Sequence, residues 1–255
     1  QLDMDRLDYL RRDSFYSGVT EGSVNSERLL TMLNVKDDQL VVDAKGIYSV
    51  EKFLVARRLM YWQVYMHKTV LSAEFMLVNI LKRAKHLASQ GITLPGTIAL
   101  KHFLNADYSW NEFEENPAVL EKFVLLDDYD VMSAIKDWTN HSDTILSELS
   151  KRITDRNLLK IRLQAAPFAP EVSARIGQAI KSQYGFSHGE EQYMYIEAKV
   201  KNHAYNNKKG HINLLYKDGH ISDISQAADQ MTIKALSEPV ERHFICFPRE
   251  LKDLL

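Results

Sequence analysis

The stretch that decides the fold runs from residue 49 to residue 90 and reads SVEKFLVARRLMYWQVYMHKTVLSAEFMLVNILKRAKHLASQ. It contains neither Gly nor Pro, and Ser49 with Glu51 shortly after it is typical of a helix N-terminus. The pattern therefore predicts one helix from Ser49 to about Gln90, which is unusually long for a globular protein. We expect this helix to be the backbone of a helical body.

The segment before this helix predicts two shorter helices and a hairpin. Leu2–Tyr16 is charged and helix-prone, and Gly18 with the polar residues after it ends the pattern. A second helix is expected over Ser26–Leu33. Leu40–Val42 and Ile47–Tyr48 are short apolar runs separated by four residues, which is typical of a β-hairpin.

The segment after the long helix first predicts more helices and then a mixed region. Helix patterns occupy the ranges Pro95–Leu104, Pro117–Leu125, Val131–Trp138 and Asp143–Lys151. Beyond Arg156, strand-like runs at Tyr193–Val200, Ile212–Tyr216 and His243–Phe247 accompany one helix over Val172–Tyr184. The sequence therefore predicts a mainly α fold, with a helical body over residues 1–165 and a smaller α+β lobe over residues 166–255.

Composition sets the broad class. The chain has 255 residues, of which 45% are hydrophobic and 26% charged, and this is the range of folded globular proteins. The 32 Lys and Arg nearly cancel the 34 Asp and Glu, so no overall positive charge favours nucleic acid. No apolar run approaches the roughly 20 residues that span a bilayer. The single Cys246 cannot form an internal disulfide, which fits a cytoplasmic location.

The first predicted helix carries polar side chains along one face. At about 100° per residue, an arc of about 100° collects two carboxylates, two phenols and a guanidinium. These side chains are Asp5, Tyr9, Arg12, Asp13 and Tyr16. The arrangement is typical of a solvated helix face, and it is also suited to binding a polar ligand.

The long helix carries a matching stripe. Arg57, Tyr61, Tyr65 and Lys68 follow one another at spacings of 4, 4 and 3 residues. Two cations could bind phosphate oxygens while two phenols contact a sugar or base. The alternative is an ordinary core helix whose Tyr hydroxyls point outward. Composition favours the ordinary core helix, and the occurrence of two matching stripes in one chain weakens that interpretation, so a site for a phosphorylated, aromatic ligand remains open.

Three segments together resemble a known family. They are Asp3–Asp13, Arg57–Lys68 with its Val-Tyr-Met-His-Lys end, and Asp155–Lys160. In order and spacing they resemble the HD-superfamily phosphohydrolases of the deoxynucleoside triphosphate triphosphohydrolase type. The resemblance implies an HD-type helical body and a divalent metal, which could be Mg, Mn, Fe or Zn. It also implies a homo-oligomer, a dimer or tetramer, that releases a deoxynucleoside and inorganic triphosphate.

The resemblance assigns roles to individual residues. Asp5 corresponds to the last metal ligand of the family site. Arg6 stands where the family has a basic residue near the triphosphate, Tyr61 stands where a mammalian member of the family has a His, and these two are the candidate catalytic positions. The substrate-binding positions are Tyr9 and Asp13 at the sugar, Arg57 at phosphate and Tyr65 beside the deoxyribose. The positions that resemble cationic sites for activating nucleotides are Arg28, Lys45, Lys68, Arg156 and Lys160.

The chain also departs from the family pattern. The family's two His ligands and its His-Asp dipeptide precede the opening motif, and no His-Asp dipeptide occurs here. We therefore expect this chain to be the C-terminal portion of a longer enzyme, with one metal ligand of its own and little activity alone. Two alternatives remain open: an HD phosphohydrolase acting on another phosphate ester, and a non-catalytic nucleotide-binding or oligomerisation module.

Overall fold

The computed structural model describes residues 2–202, 205, 210–227 and 240–254. The described chain is mainly α-helical with two small sheets, which confirms the mainly α part of the predicted fold class. Contacts group the chain into two compact units, the first comprising Gln1–His67 with Lys199–Arg242 and the second comprising Lys68–Ala198 with His243–Leu255. These boundaries do not coincide with the predicted one at residue 165.

The elements are as follows in chain order. The helices are α1 Met4–Ser17, α2 Ser26–Leu30, α3 Ile47–Met60, α4 Lys68–Ser89, α5 Ile98–Asn105, α6 Trp110–Glu115, α7 Pro117–Val124, α8 Asp128–Trp138, α9 Thr144–Thr154 and α10 Pro170–Tyr184. The strands are β1 Leu33–Lys36, β2 Gln39–Asp43, β3 Lys160–Gln164, β4 Ile196–Asn202, β5 Asn213–Leu215, β6 Ile221–Asp223 and β7 Val240–Phe247. Among the described residues, no helix combines the length and apolarity that crossing a membrane requires.

Strand pairing explains why the units differ from the predicted halves. In the first unit the sheet order is β1-β2-β5-β6, and β2 pairs in parallel with β5 at Val42 and Leu214. A late segment therefore completes a sheet that begins near residue 33. The other sheet has the order β3-β7-β4, with Ile161 of β3 opposite Cys246 of β7. These pairings join residues far apart in sequence, which local patterns do not reveal.

Helix α1 forms as the sequence predicts. The Asp3 side chain caps its N-terminus by accepting a hydrogen bond from the backbone N–H of Arg6. Gly18 ends the helix at a φ of 73°, a left-handed conformation that glycine adopts without strain. Leu7 and Leu10 are buried in the core of the first unit. Burial of one apolar stripe fixes the helix, so that its polar face is presented in a defined orientation.

The predicted hairpin is wrong in position. Strands β1 and β2 pair antiparallel, with Val35 opposite Leu40, and their turn contains Asp37 and Asp38 at φ of 51° and 56°. Ile47 begins helix α3 instead of a second strand. The turn uses two Asp residues in the left-handed region, which Asp tolerates better than most residues, in place of the more obvious glycine.

The predicted long helix is two helices with an irregular junction. Helix α3 ends at Met60, and Tyr61–Tyr65 form a π-helical turn in which Met66 N–H donates to the Tyr61 carbonyl over 2.6 Å. The chain leaves helical geometry at Met66 and His67 before α4 begins at Lys68. A π turn adds one residue to a helical turn and requires neither Gly nor Pro. The sequence therefore carried no breaking signal at this point.

The second unit is anchored by buried arginines. Arg83 of α4 donates two hydrogen bonds to Asp143, at 3.1 and 2.6 Å, and pairs with Glu190 at 3.0 Å. Arg152 of α9 bonds both Tyr184 and Glu250. Because these guanidiniums are paired, their burial is compatible with a stable core. They fix α4 and α9 as the rigid support of the second unit.

Candidate functional site

Five predicted site residues come together in the first unit and are called the tyrosine cluster. They are Tyr9 and Asp13 of α1, Arg57 of α3, and Tyr61 and Tyr65 of the π turn. The Tyr65 ring meets Tyr9 edge-to-face at a centroid distance of 6.0 Å and meets Tyr61 in the same manner at 5.2 Å. Such geometry is favourable between aromatic rings. The cluster joins the two stripes that the sequence analysis identified.

A hydrogen bond links the two stripes directly. The Tyr65 hydroxyl donates to Asp13 Oδ2 over 2.6 Å. Burial, together with this hydrogen bond and the negative charge of Asp13, raises the pKa of Tyr65 well above its ordinary value. The phenol therefore stays protonated near neutral pH, and both its position and that of the carboxylate are fixed.

A cation lies over the other end of the cluster. The guanidinium carbon of Arg57 is 5.6 Å from the centre of the Tyr61 ring, within the range of a cation–π contact. Burial and the nearby Tyr61 raise the pKa of Tyr9, while Arg57 opposes that shift. The cluster thus offers a cation, a carboxylate and neutral phenols within one small region, a combination suited to a phosphorylated sugar.

Other predicted residues of α1 lie outside the cluster. Arg12 pairs with Asp8 at 2.7 Å on the exposed surface, and Tyr16 is 79% exposed with its ring against Phe15. The predicted arc therefore divides into a part that assembles and a part that stays solvated. Arg6 forms a salt bridge with Asp3 at the start of the helix.

The described residues of this chain do not form a metal centre by themselves. Asp5 is exposed in the first turn of α1. Within the described parts of the chain, no three His, Cys, Asp or Glu side chains gather in a manner that could hold a metal ion. One carboxylate supplies too few ligands for a bound divalent cation. The described residues therefore offer one exposed carboxylate, Asp5, and not a complete metal site.

Lys68 does not continue the stripe of Arg57, Tyr61 and Tyr65, which corrects the helical-periodicity prediction. The irregular junction at Met66 and His67 ends the periodicity before Lys68. Lys68 lies instead in the second unit, at the mouth of a cavity of about 390 Å³.

This cavity of the second unit is called the cationic cavity and is lined by four basic side chains. They are Lys68 of α4, Lys160 and Arg162 of β3, and Arg249. Ser72, buried at its floor, donates to the Leu159 carbonyl over 2.8 Å, and Arg249 donates to the Leu158 carbonyl over the same distance. Lys68 and Lys160 were predicted effector positions, and the structure brings these two together.

The remaining effector positions lie elsewhere. Arg28 is exposed on α2, and Lys45 pairs with Asp43 at 3.3 Å beside another cavity of the first unit, which Tyr216 and Lys217 also line. Arg156 is exposed in the turn after α9 at a φ of 56°. Arg28, Lys45 and Arg156 are not among the residues that line the cationic cavity.

Sequence reasoning missed two of the basic residues of the cationic cavity. Arg162 follows Lys160 by two residues in β3, so both side chains are on the same face of the strand. That alternation was a usable signal. Arg249 reaches the cavity from beyond β7, which pairs with β3, and only this long-range pairing brings it close.

Part of the chain matches a known family. Residues 24–94 match the model of the HD-associated region. This range contains Arg57, Tyr61 and Tyr65 of the tyrosine cluster, and it also includes Lys68 of the cationic cavity.

A solved structure of similar sequence covers almost the whole chain. A phosphohydrolase from Bacteroides thetaiotaomicron is 46% identical with a TM-score of 0.89, and the match covers 98% of this chain and 62% of that one. Among curated proteins, the uncharacterized YwfO of Bacillus subtilis is 36% identical over 160 residues, which are 63% of this chain and 35% of YwfO. The deoxynucleoside triphosphate triphosphohydrolase SAMHD1 homolog of Dictyostelium discoideum is 35% identical over 83 residues, 32% of this chain and 16% of that protein.

These matches support a relationship to the HD superfamily, as the resemblance of the three motifs implied. The chain spans 35% of the length of YwfO and 62% of the solved Bacteroides chain. It therefore corresponds to one part of these longer proteins.

Proposed function

We propose that this chain is the substrate-binding part of an HD-type phosphohydrolase that converts a deoxynucleoside triphosphate to a deoxynucleoside and inorganic triphosphate. The hydrogen bond between Tyr65 and Asp13 carries the proposal. It fixes an aromatic ring beside a carboxylate, and Arg57 lies at the other side of the same cluster. The Bacteroides protein of 46% identity, named a phosphohydrolase, supports a hydrolytic reaction.

Each cluster residue has a defined task in this proposal. The Asp13 carboxylate accepts a hydrogen bond from a sugar hydroxyl, and Tyr9 contacts the sugar. The Tyr65 ring, held between two other rings, forms a rigid wall that leaves no room for a 2′-hydroxyl. Arg57 and Arg6 bind the phosphate oxygens, where their positive charge stabilises the charge that develops during hydrolysis. The Tyr61 phenol donates a hydrogen bond to phosphate.

We propose that the metal is bound by the whole phosphohydrolase of which this chain is a part, called here the longer protein. A divalent ion would polarise the phosphate and activate water. We propose Asp5 as the ligand that these residues contribute, because it lies four residues before Tyr9 on the exposed face of α1. Asp5→Ala should abolish hydrolysis by the longer protein and lower its metal content. An unchanged rate would refute the role of Asp5.

Substrate selection by the longer protein tests the role of the cluster. Asp13→Asn should lower kcat/KM for a deoxynucleoside triphosphate about tenfold or more, because the anionic acceptor and the anchor of Tyr65 are both weakened. Asp8→Asn on the same helix is the matched control, since Asp8 pairs only with exposed Arg12 in the described chain. Equal effects of the two variants would contradict the proposal.

Another phosphate ester is the alternative substrate. It is favoured by the contact of Tyr61 with Arg57, since a phenol stands where the resembling mammalian enzyme has an imidazole. A panel of deoxynucleoside triphosphates, ribonucleoside triphosphates and monophosphates separates the two substrates. Release of inorganic triphosphate supports the first proposal, whereas turnover of monophosphates alone supports the second.

The cationic cavity supports a regulatory nucleotide or a purely binding role. Four cations around one cavity favour a polyphosphate group. We propose that an activating nucleotide binds at the predicted effector residues, which are Arg28, Lys45, Lys68, Arg156 and Lys160. Inorganic tripolyphosphate should raise the melting temperature of the 255-residue chain, and Lys160→Gln should reduce this shift. Exposed Lys151 on α9 does not line the cavity, so Lys151→Gln is the control. An identical shift in both variants would exclude the cavity as the anion site.

A further inference from the structure

The second unit contains an apolar groove that the proposed reaction does not use. The groove has a volume of about 590 Å³ and lies among α4, α5, α7 and α8. Val78 and Leu81 line it from α4, Phe103 from α5, and Phe123 and Leu126 from the end of α7. An open apolar groove of this size on a folded unit is typical of an interaction surface.

Apolar side chains also project beside the groove. Val124 and Leu125 are 74% and 69% exposed, and they lie directly between Phe123 and Leu126 in sequence. Other residues of α7 pack within the unit, because Val119 is buried and Phe123, which lines the groove, meets the ring of Phe113 edge-to-face at 5.4 Å. Val124 at the end of α7 and Leu125 directly after it are thus two large apolar side chains that remain largely exposed.

The rim of the groove carries both signs of charge. Lys82 of α4 and Asp128 of α8 line it, and both are exposed. Neither forms an ion pair within the parts of the chain that the structure describes. Asp127 beside them is engaged as the N-cap of α8, where it accepts from the backbone N–H of Tyr129. Lys82 and Asp128 are thus a cation and an anion suited to contact another molecule.

We infer that this face is a two-fold interface between two copies of the chain. A two-fold interface uses the same patch on both copies and must be self-complementary. This patch has an apolar projection beside an apolar groove and a cation beside an anion. Val124 and Leu125 of each copy enter the groove of the other, and Lys82 of each copy pairs with Asp128 of the partner subunit. The interface supplies the subunit contact of the proposed homo-oligomer.

Sedimentation equilibrium of the 255-residue chain without nucleotide tests the inference. The wild type should have the mass of a dimer or larger oligomer, and Val124→Glu should lower that mass by half or more because a buried carboxylate has no partner there. Val35→Glu is the matched control, since Val35 is 66% exposed on β1 and does not line the groove. A monomeric wild type, or equal effects of the two variants, would overturn the inference.

Charge reversal tests the pairing at exposed positions. Lys82→Glu and Asp128→Lys should each raise the dimer dissociation constant about tenfold or more, because each variant places like charges opposite one another. The combined variant should restore the wild-type constant, and circular dichroism should show the same helix content throughout. Failure of the combination to restore association would overturn the pairing. Because no turnover is measured, this result is independent of whether the protein hydrolyses nucleotides.

Discussion

The tyrosine cluster and the cationic cavity both gather side chains suited to a phosphorylated ligand, but they are held in different ways. In the cluster, Tyr65 is bonded to Asp13 at 2.6 Å and packed against Tyr9 and Tyr61. In the cavity, Lys68 and Lys160 are exposed at the ends of α4 and β3. The side chains of the cluster hold one another in place, whereas these two lysine side chains are exposed to solvent.

Because of this difference, the two regions would recognise a ligand in different ways. The phenols and the fixed carboxylate recognise shape, because a misplaced hydroxyl would leave half-buried polar groups unpaired. Exposed lysines recognise the charge of a ligand. Their attraction to an anion depends little on its orientation and is screened strongly by salt. The first region is therefore suited to selecting a sugar and the second to holding a polyphosphate. Measurements of stability should distinguish the two regions.

The largest expected effect is the loss of Tyr65. Tyr65→Ala should lower the free energy of unfolding by about 2 kcal/mol, since it removes the hydrogen bond to Asp13 and the contacts with two rings. Tyr65→Phe keeps the rings and should cost about 1 kcal/mol. Tyr16→Ala is the control, because Tyr16 is 79% exposed, and should change stability by less than about 0.5 kcal/mol. Urea denaturation measures all three, and equal losses for Tyr65→Ala and Tyr16→Ala would show that the cluster is not a packed unit.

The sequence predicted the cluster better than the cavity for a physical reason. Tyr9 and Asp13 lie on one face of α1 because local helical periodicity places them there. Tyr61 and Tyr65 remain neighbours because both belong to the π turn that follows α3. These relations depend on residues a few positions apart, so a sequence pattern is sufficient to find them.

The cavity and the hairpin depend on features that local patterns do not contain. Arg249 lines the cavity only because β7 pairs with β3 across a long sequence separation. The π turn carries no Gly or Pro, so the break before Lys68 was invisible. The hairpin was misplaced because its turn is formed by Asp37 and Asp38 at positive φ angles, before the apolar run that was taken as the first strand.

A smaller effect is expected from pH. A Tyr in an unfolded chain has a pKa near 10, and burial with the Asp13 bond raises the pKa of folded Tyr65. The folded state then binds the proton more tightly, so this stabilisation is present below pH about 10 and is lost as the pH rises towards the folded pKa. The stability difference between the wild type and Tyr65→Phe should therefore narrow above pH about 10.

Other tyrosines also have a raised pKa, and their contribution to the pH dependence of stability must be controlled for. Burial raises the pKa of Tyr184 and of Tyr195 to about 12. Both are retained in Tyr65→Phe, so their contribution cancels when the two unfolding curves are subtracted. Urea denaturation at a series of pH values measures the difference. A difference that stays constant across this range would mean that Tyr65 does not retain its proton through the contact with Asp13.

The smallest change in the free energy of unfolding is expected at the cationic cavity, and there a substitution should raise the stability instead of lowering it. Lys160 is exposed and has no ion pair among the described residues, while three other cations line the same cavity. Lys160→Met should therefore raise the free energy of unfolding at low salt, by no more than about 0.5 kcal/mol, because it relieves repulsion between like charges. At about 1 M salt the screening length falls to about 3 Å and the gain should vanish. Lys151→Met on α9 controls for the exposed methionine, and a salt-independent loss of stability specific to Lys160→Met would mean that Lys160 is held by the fold, as Tyr65 is.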